Sequence, residues 1–272
     1  MSSSIARLAC VAALLATLLA TTTHARADVA TDGSRKVHAG ILAAGGAAYL
    51  GIEFVAKPYL TSPSCTICNP PGFDAAVRRG LVWRARRRAN LLSTVVGYAM
   101  APLYTTGMLV ASGDPDFRRR YDDVVPVLEA AVSIGLLHHA VKFVLDRRRP
   151  FVHHAGAGHR YDTDDNASFF SGHTGLAFAV ATAAGVVANE RNYRAAPYIW
   201  AGGLTMAALT GYLRIAADKH WLSDVIVGSF VGVGVGVAIP LLFHKDTLAQ
   251  PVATARTTGG GEPRFLSFGG AF

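Results

Sequence analysis

The sequence predicts an all-α fold, a bundle of six helices embedded in a membrane. Of its 272 residues, 51% are hydrophobic and 16% are charged, a composition that allows one sizeable core and excludes a disordered or fibrous chain. The apolar residues are concentrated in long runs separated by Arg-rich or Gly/Pro-rich connections, and no segment has a convincing strand pattern. The six runs are 41–52, 91–113, 124–144, 174–189, 195–213 and 225–243.

The first 27 residues, 1–27, have the layout of a secretory signal peptide. Arg7 precedes a Leu/Ala-rich run over 8–20, and the small-residue sequence Ala-Arg-Ala ends at Ala27. We expect cleavage after Ala27, with an uncleaved anchor as the alternative. From residue 28 onward the chain carries 24 basic and 18 acidic residues. This surplus of positive charge suits an anionic partner or a membrane surface.

Residues 28–90 are expected to form an N-terminal helix followed by a basic loop. The first apolar run is short and is interrupted at Glu53, so it need not cross a bilayer. Cys65 and Cys68 form one Cys-x-x-Cys pair without a second pair, which disfavours structural zinc and, in an exported chain, favours a local disulfide. The Arg-rich sequence around Trp83 predicts a basic helix on anionic lipid head groups, or a solvated basic face.

Residues 91–244 are expected to form the helical core, and residues 245–272 a Gly-rich, irregular tail. Several runs approach the roughly 20 residues that cross a bilayer. They are either membrane spans or interior helices of a large soluble bundle, and we favour the membrane. The third run contains the adjacent pair His138 and His139. Because neighbours in a helix do not share a face, one of them can reach a site while the other packs in the core.

Two short motifs lie between the third and fourth runs. The stretch KFVLDRRRP places Lys142 and Arg149 seven residues apart, two helical turns on one face. Taken alone, this stretch also fits a basic helix end that complements the helix dipole or flanks a membrane. The stretch FSGH puts Ser171 at the N-cap position of the fourth helix, where the backbone amides of Gly172 and His173 offer an anion site.

A third motif, RIAADKHWLSD, precedes the sixth run. It places Arg214, His220 and Asp224 at spacings of six and four residues. Because residues i and i+4 share a helical face, Asp224 can hold one ring nitrogen of His220 and stabilise an imidazolium. If the third to sixth helices alternate in direction, all three motifs lie at the same end of the bundle. Three cations, helix-start amides, two histidines and a carboxylate are suited to phosphoryl transfer.

The three motifs resemble the signature of the type 2 phosphatidic acid phosphatase family, the lipid phosphate phosphatases, which reads Lys-x6-Arg-Pro, Pro-Ser-Gly-His and Ser-Arg-x5-His-x3-Asp. The resemblance covers residues 90–243, with the motifs in the right order. It departs at Phe170, where the family usually has Pro, and at Leu213, where it usually has Ser. We expect Phe170 to change only the rigidity of the turn. Leu213 either removes a hydroxyl beside Arg214 or packs against a lipid chain.

Chemical reasoning and the resemblance assign the same roles. His220 is expected to be the nucleophile and to pass through a phosphohistidine, with Asp224 holding its other ring nitrogen. His173 is expected to protonate the leaving alkoxide and later to activate water. Because the cations replace a metal, we expect neither a metal nor another cofactor. The expected phosphate-binding residues are Lys142, Arg149, Ser171, Gly172 and Arg214.

The loop between the first two motifs contains several histidines and aspartates. Their irregular spacing favours a solvated loop that faces the substrate over a metal cluster. These residues are His153, His154, His159, Asp162, Asp164 and Asp165.

The resemblance implies a metal-independent phosphatase acting on a lipid phosphate or pyrophosphate. The alternatives are a vanadium-dependent haloperoxidase, a soluble periplasmic non-specific acid phosphatase, and a non-enzymatic membrane protein that keeps the pocket as a relic. We expect a lipid phosphate and the membrane as partners, and no nucleic acid. We expect the inner membrane of a bacterial-type envelope with a periplasm-facing active site, although six spans after a cleaved signal would put that site in the cytoplasm. A soluble periplasmic location is the alternative.

Overall fold

The computed structural model describes residues 32–156 and 158–249. The predicted signal peptide and nearly all of the predicted tail lie outside the described residues. The described part of the chain is helical, and its only extended pairing is a single bridge between Ile67 and Arg147. The predicted all-α fold is therefore confirmed.

Six long helical stretches coincide with the six predicted apolar runs. The first and second stretches are composite, because each contains a short π-helical segment. In chain order the elements are α1 (Asp32–Gly51), a π-helical segment (Ile52–Ala56), α2 (Lys57–Leu60), α3 (Gly72–Leu81), α4 (Arg86–Thr94), a second π-helical segment (Val95–Met100), α5 (Ala101–Ser112), α6 (Phe117–Leu145), α7 (Pro150–His153), α8 (Gly172–Glu190), α9 (Ala196–Ala216), α10 (Leu222–Phe243) and α11 (Lys245–Leu248).

Four stretches of the described chain are long and apolar enough to cross a membrane. The first of these is not interrupted at Glu53, as the sequence suggested, but continues to Leu60. Glu53 is accommodated because its carboxylate pairs with Lys57 one turn further on, at 2.7 Å. The four stretches are Gly33–Leu60, Arg86–Ser112, Phe117–Leu145 and Leu222–Phe243.

Helix α8 lies at the centre of the bundle and packs against α5, α6, α9 and α10. Its contact with α10 is close because α10 presents a glycine at every fourth position. A Cβ atom on Gly228, Gly232 or Gly236 would lie 2.8, 2.4 or 2.6 Å from a backbone carbonyl oxygen at the start or in the body of α8. Glycines at this spacing let two helix backbones approach closely. The contact aligns the starts of both helices, and the Ser171 amide donates to the Asp224 carbonyl oxygen at 3.1 Å.

The segment that contains the two cysteines folds onto the end of α6. Cys65 and Cys68 form the expected disulfide. Between them, the carbonyl oxygen of Ile67 accepts a hydrogen bond from the Arg148 amide at 3.0 Å. The disulfide-closed loop therefore supports the backbone of the first motif.

The Arg-rich segment is not one interfacial helix, as the sequence suggested, but two helices, α3 and α4, joined by a turn. The turn is held by the amide of Trp83, which donates to the Ala216 carbonyl oxygen at 3.0 Å. Arg78 of α3 binds the buried carboxylate of Asp218 through Nε and Nη2, at 2.6 and 2.7 Å. Part of the predicted basic face is therefore used to fix the loop after α9.

Candidate active site

The three sequence motifs meet at one end of the bundle. Helices α6 and α9 end there, and helices α8 and α10 begin there. Nη1 of Arg149, from the first motif, lies 3.2 Å from Nε2 of His220, from the third. Arg214 and His173 also lie close enough to His220 to lower its pKa. The structure thus gathers the predicted site residues around a single centre.

His220 is held in one orientation by a backbone carbonyl. Its Nδ1 lies 2.7 Å from the carbonyl oxygen of Ser168, and because a carbonyl only accepts, we assign the ring proton to Nδ1. Nε2 therefore keeps its lone pair, which accepts a hydrogen bond from Nη1 of Arg149 at 3.2 Å. Burial, together with the charges of Arg149 and Arg214, holds the pKa of His220 well below its usual value. The ring is neutral at neutral pH.

Asp224 stands behind His220 at ion-pair distance and makes no direct hydrogen bond to it. The carboxylate oxygen Oδ2 lies 3.7 Å from Nδ1 of His220. Oδ2 instead accepts from the Ser168 hydroxyl at 2.6 Å and from the Trp221 amide at 2.9 Å. We expected Asp224 to bind the other ring nitrogen of His220, but the Ser168 carbonyl oxygen binds Nδ1 instead. Asp224 therefore acts on the ring through its charge, without a direct hydrogen bond.

Sequence reasoning missed the partner of this carboxylate, Arg147. Its Nη1 binds Oδ1 of Asp224 in a short contact, and its Nη2 donates to Oδ2 of Asp74 at 2.8 Å. Asp74 also accepts from the Ser223 hydroxyl at 2.6 Å. The signal available was the first arginine of DRRRP, whereas nothing in the sequence around Asp74 indicated this role.

Arg149 is fixed mainly by backbone carbonyls. Its Nε donates to the Asp164 carbonyl oxygen at 2.6 Å, and its Nη1 donates to that of Lys219 at 2.9 Å. The Asp164 carboxylate lies further away, 3.7 Å from Nη2. Since carbonyls orient a guanidinium without neutralising it, most of the charge of Arg149 remains available to an anion.

Arg214 is a buried guanidinium with neutral partners. It is 4% exposed, and its Nη1 donates to Oδ1 of Asn90 at 2.8 Å and to Oγ of Ser93 at 3.2 Å. Its Nε has no hydrogen-bond partner, and no carboxylate among the described residues pairs with it. Leu213 is buried beside it and lines neither of the cavities described below. The hydroxyl missing at position 213 is thus supplied from α4 by Ser93.

Lys142 faces an acidic residue that sequence reasoning did not assign to the site. Its Nζ lies 3.4 Å from Oε2 of Glu53, and Glu53 pairs more closely with Lys57. Lys57 in turn lies 2.8 Å from the carboxylate of Asp164. Burial alone would raise the pKa of Asp164, but the charges of Arg149 and Lys57 outweigh burial and hold the pKa well below its usual value. The site therefore contains two cations and two carboxylates in addition to its arginines.

The second motif begins α8, but its serine does not cap the helix with its side chain. Ser171 occupies the N-cap position, yet its hydroxyl pairs with Oγ1 of Thr174 at 2.8 Å. His173 lies in the first turn, where its Nε2 is 3.3 Å from Oγ1 of Thr94 and its ring meets the edge of Tyr98. The amides at the start of α8 are thus left to other acceptors.

Of the two adjacent histidines in α6, His138 reaches the site and His139 packs in the core. A Cβ atom on Gly172 would lie 2.8 Å from the ring of His138, so any larger residue at position 172 would require this ring to move. His139 is 1% exposed and stacks on Phe143. This division between two neighbours agrees with their positions on different faces of the helix.

The His- and Asp-containing loop is more ordered than expected. Asp165 is 2% exposed and binds Nε2 of His159 at 2.8 Å. The interpretation as a solvated loop is therefore wrong for Asp165, because this carboxylate organises the loop from inside. The described residues of the loop do not gather into a metal-ligand cluster.

Two cavities flank the start of α8. One, of about 340 Å³, is predominantly apolar, lies between α1, α6 and α8, and reaches Gly172 and His138. The other, of about 680 Å³, is basic and adjoins the partners of Arg214 and His173. Residues lining the basic cavity include Arg86, Arg87, Arg88, Asn90, Thr94 and Lys219.

Comparison with known proteins matches part of the chain to a protein family and to a curated relative. The model of the PAP2 superfamily matches residues 123–248. Over 69 residues the chain is 42% identical to a lipid A 1-phosphatase of Porphyromonas gingivalis, a match that covers 25% of this chain and 15% of that protein. The match thus spans a small part of that relative's length. No solved structure matches the chain.

Proposed function

We propose that the chain, whose residues 123–248 match the PAP2 superfamily, is a metal-independent phosphatase acting on a lipid phosphate or pyrophosphate monoester. The observation that carries the proposal is a neutral, oriented histidine beside buried arginines and next to an apolar cavity. The arginines bind phosphate, the histidine attacks phosphorus, and the cavity accepts an acyl chain.

In the proposed complex the phosphate lies between Arg149, Arg214 and the start of α8. The unpaired Nε of Arg214 and a neighbouring Nη donate to two phosphate oxygens as a planar fork. The backbone amides of Gly172 and His173 add the positive end of the helix dipole. Lys142 is the third cation, because its contact with Glu53 is long and a phosphate dianion competes for it.

In the first chemical step, Nε2 of His220 attacks phosphorus and the bond from phosphorus to the ester oxygen breaks. This step produces a phosphohistidine and an alkoxide, and the alkoxide takes a proton from His173. In the free protein, burial and the charges of Arg214 and Arg149 hold the pKa of His173 well below its usual value. Its protonated form therefore requires the bound phosphate anion beside it. Positive charge develops on the ring of His220. The Ser168 carbonyl and the more distant charge of Asp224 stabilise it.

In the second step, neutral His173 takes a proton from a water molecule as the water oxygen attacks phosphorus. The bond between phosphorus and Nε2 breaks, inorganic phosphate leaves, and His220 returns to its neutral form. Arg147 keeps Asp224 ionised and in place during both steps, since it binds that carboxylate directly. No step needs a metal ion, because the cations already neutralise the non-bridging oxygens.

We propose a lipid with a second anionic group in its head, of the lipid A type, as the preferred substrate. The basic cavity supports this choice, because the exposed Arg86, Arg87 and Arg88 line it together with Asn90 and Thr94, the partners of Arg214 and His173. A head group with two phosphates can bind both places. Phosphatidic acid, phosphatidylglycerol phosphate and polyprenyl pyrophosphate are the simpler substrates to compare with it.

We also propose that the protein lies in the inner membrane of a bacterial-type envelope with its site facing the periplasm. The disulfide between Cys65 and Cys68 is an argument for this orientation, because disulfides persist in oxidising compartments. The loop that it closes packs on the first motif, so the motif would lie in the same compartment. A cysteine placed at the exposed Asp162 should react with a membrane-impermeant maleimide in intact spheroplasts. Labelling only after lysis would reverse the proposed orientation.

The test of function is phosphate release by the purified protein in detergent. We expect release from lipid A and phosphatidic acid without added metal, and a higher kcat/KM for lipid A. Alanine at all three of Arg86, Arg87 and Arg88 should reduce the preference for lipid A and leave phosphatidic acid turnover largely unchanged. Activity that requires added magnesium would contradict the proposed mechanism.

A further inference from the structure

His38, Glu129 and His244 form a cluster far from the phosphate site. Nδ1 of His38 lies 2.8 Å from Oε1 of Glu129, and Nε2 of His244 lies 2.7 Å from Oε2. The residues come from α1, α6 and the end of α10. Glu129 and Lys142 lie thirteen residues apart on α6, or about 20 Å along the helix axis. The cluster is therefore separate from the proposed chemistry.

The cluster is shielded from solvent, and its carboxylate needs positive charge. The side chains of His38, Glu129 and His244 are 11%, 7% and 4% exposed. Among the described residues, the two imidazoles make all of the hydrogen bonds and ion pairs of Glu129. Arg35, one turn before His38, binds Asp122 instead. A buried carboxylate without a cation is costly, so the charge comes from an imidazolium or from a bound metal ion.

We propose that this cluster binds a divalent transition metal ion of the zinc type. Two imidazole nitrogens and one carboxylate oxygen are a three-ligand set found in zinc sites that keep a fourth position for water. The three ligand atoms lie within 4.8 Å of one another. Ligands of a tetrahedral zinc ion lie about 3.4 Å apart, so small side-chain movements bring them to that geometry.

The ion replaces the hydrogen bonds between the rings and the carboxylate. Nδ1 of His38 and Nε2 of His244 then bind metal through their lone pairs, and each neutral ring keeps its one proton on the other nitrogen. The ion balances the carboxylate charge without protonation of either ring. It also links α1, which otherwise packs chiefly on α6, to the end of α10. Its role is to fasten the first helix.

Metal analysis of the full chain tests the site. Tag-free protein in detergent is stripped with a chelator, incubated with Zn²⁺ and desalted, and its zinc content is measured. We expect one equivalent on the native protein. Glu129→Gln and His244→Gln should weaken binding by more than about tenfold, the loss that even changes around the ligands can cause. His154→Ala, which removes an exposed histidine, is the matched control and should keep the zinc.

Cobalt gives a second readout that adventitious binding does not mimic. Co²⁺ in the same protein should show the visible absorption of a tetrahedral ion, and Glu129→Gln should lose it. Because glutamine preserves size and hydrogen bonding, the Glu129→Gln variant should keep its phosphatase activity. Retained activity is the control that the variant is folded. Zinc removal should lower the melting temperature and leave the initial rate unchanged. Absence of zinc from the native protein, or equal zinc in Glu129→Gln, would overturn the proposal. The cluster would then be held by hydrogen bonds between the two imidazoles and the carboxylate.

Discussion

The two ends of the bundle treat buried charge differently. At the end away from the phosphate site, Arg191 lies 2.7 Å from Asp123, and Arg35 binds Asp122 through two nitrogens at 2.9 and 2.8 Å. At the site end, Arg214 has only neutral partners. The far end thus pairs these two arginines with carboxylates. The site end pairs Arg147 with Asp224 and Asp74 but leaves Arg214 without a carboxylate partner among the described residues.

This difference predicts which substitutions lower the free energy of unfolding and which lower turnover. A matched buried pair is destabilising when one partner is removed, because the other becomes an unpaired buried charge. An unmatched buried cation is unfavourable in the folded protein alone and becomes favourable when an anion binds. We therefore expect substitutions at the far end to alter stability, and substitutions at the site end to alter turnover.

The largest expected effect follows from removing the proposed nucleophile. His220→Ala should reduce phosphate release by roughly 10⁴-fold or more, as expected for the loss of a nucleophile, while the melting temperature changes little. Labelled phosphate should be trapped on the native protein and not on the variant. His154→Ala is the matched control and should turn over normally. Near-normal release by His220→Ala would exclude the histidine mechanism.

At the far end, Asp123→Ala should be strongly destabilising without an effect on chemistry. The variant leaves Arg191 buried without its carboxylate, which costs about 3–5 kcal/mol. Thermal unfolding in detergent measures this loss, and kcat per folded molecule should be unchanged. Asp122→Ala is the milder comparison, because its partner Arg35 is 20% exposed. Equal destabilisation by both variants would contradict the role of burial.

At the site end, Arg214→Lys should lower kcat/KM by about 100-fold, because an ammonium retains the charge but cannot form the planar fork. The measurement is steady-state phosphate release from short-chain and long-chain esters. Arg191→Lys makes the same substitution at the far end, where it should alter stability and leave kcat/KM unchanged. Full activity of Arg214→Lys on both esters would show that the planar fork of Arg214 is not needed for phosphate binding.

The pH profile tests the state of His220. A histidine with a lowered pKa stays neutral below pH 6.5, and attack requires the neutral form. The acid limb of kcat/KM assigned to the enzyme should therefore lie below pH 6.5. The substrate's own ionisation is measured by phosphorus NMR and divided out. A limb at or above pH 6.5 would show that the free histidine is not held neutral.

The smallest expected effect concerns the hydroxyl beside Arg214. Ser93→Ala should weaken transition-state binding by about 0.5–1.5 kcal/mol, the net worth of one hydrogen bond. Adding Leu213→Ser to this variant should restore part of the loss in kcat/KM. Leu213→Ser alone buries a new hydroxyl and should chiefly lower stability. An unchanged kcat/KM for Ser93→Ala would show that the hydroxyl does not support the arginine.

The sequence predicted the helices well and the contacts between distant residues less well. The six apolar runs became six helical stretches because long apolar segments between charged connections have few other ways to satisfy their backbone. The first stretch was underestimated, since Glu53 is satisfied by Lys57 one turn on. The glycines at 228, 232 and 236 were a readable signal for close helix packing that our sequence reasoning did not use.

The sequence alone determined which chemical groups stand near the helix ends, because their distance along the chain from each apolar run is fixed. The shared helical faces expected for His220 with Asp224 and for Lys142 with Arg149 do not form. Helix α10 begins at Leu222 and α6 ends at Leu145, so His220 and Arg149 lie just outside these helices. Only the tertiary structure decided that a carbonyl holds His220, that Ser93 takes the place of the hydroxyl lost at Leu213, and that Glu53 reaches Lys142. Such contacts join residues far apart in the chain. No local period relates them, and helix packing alone brings them together.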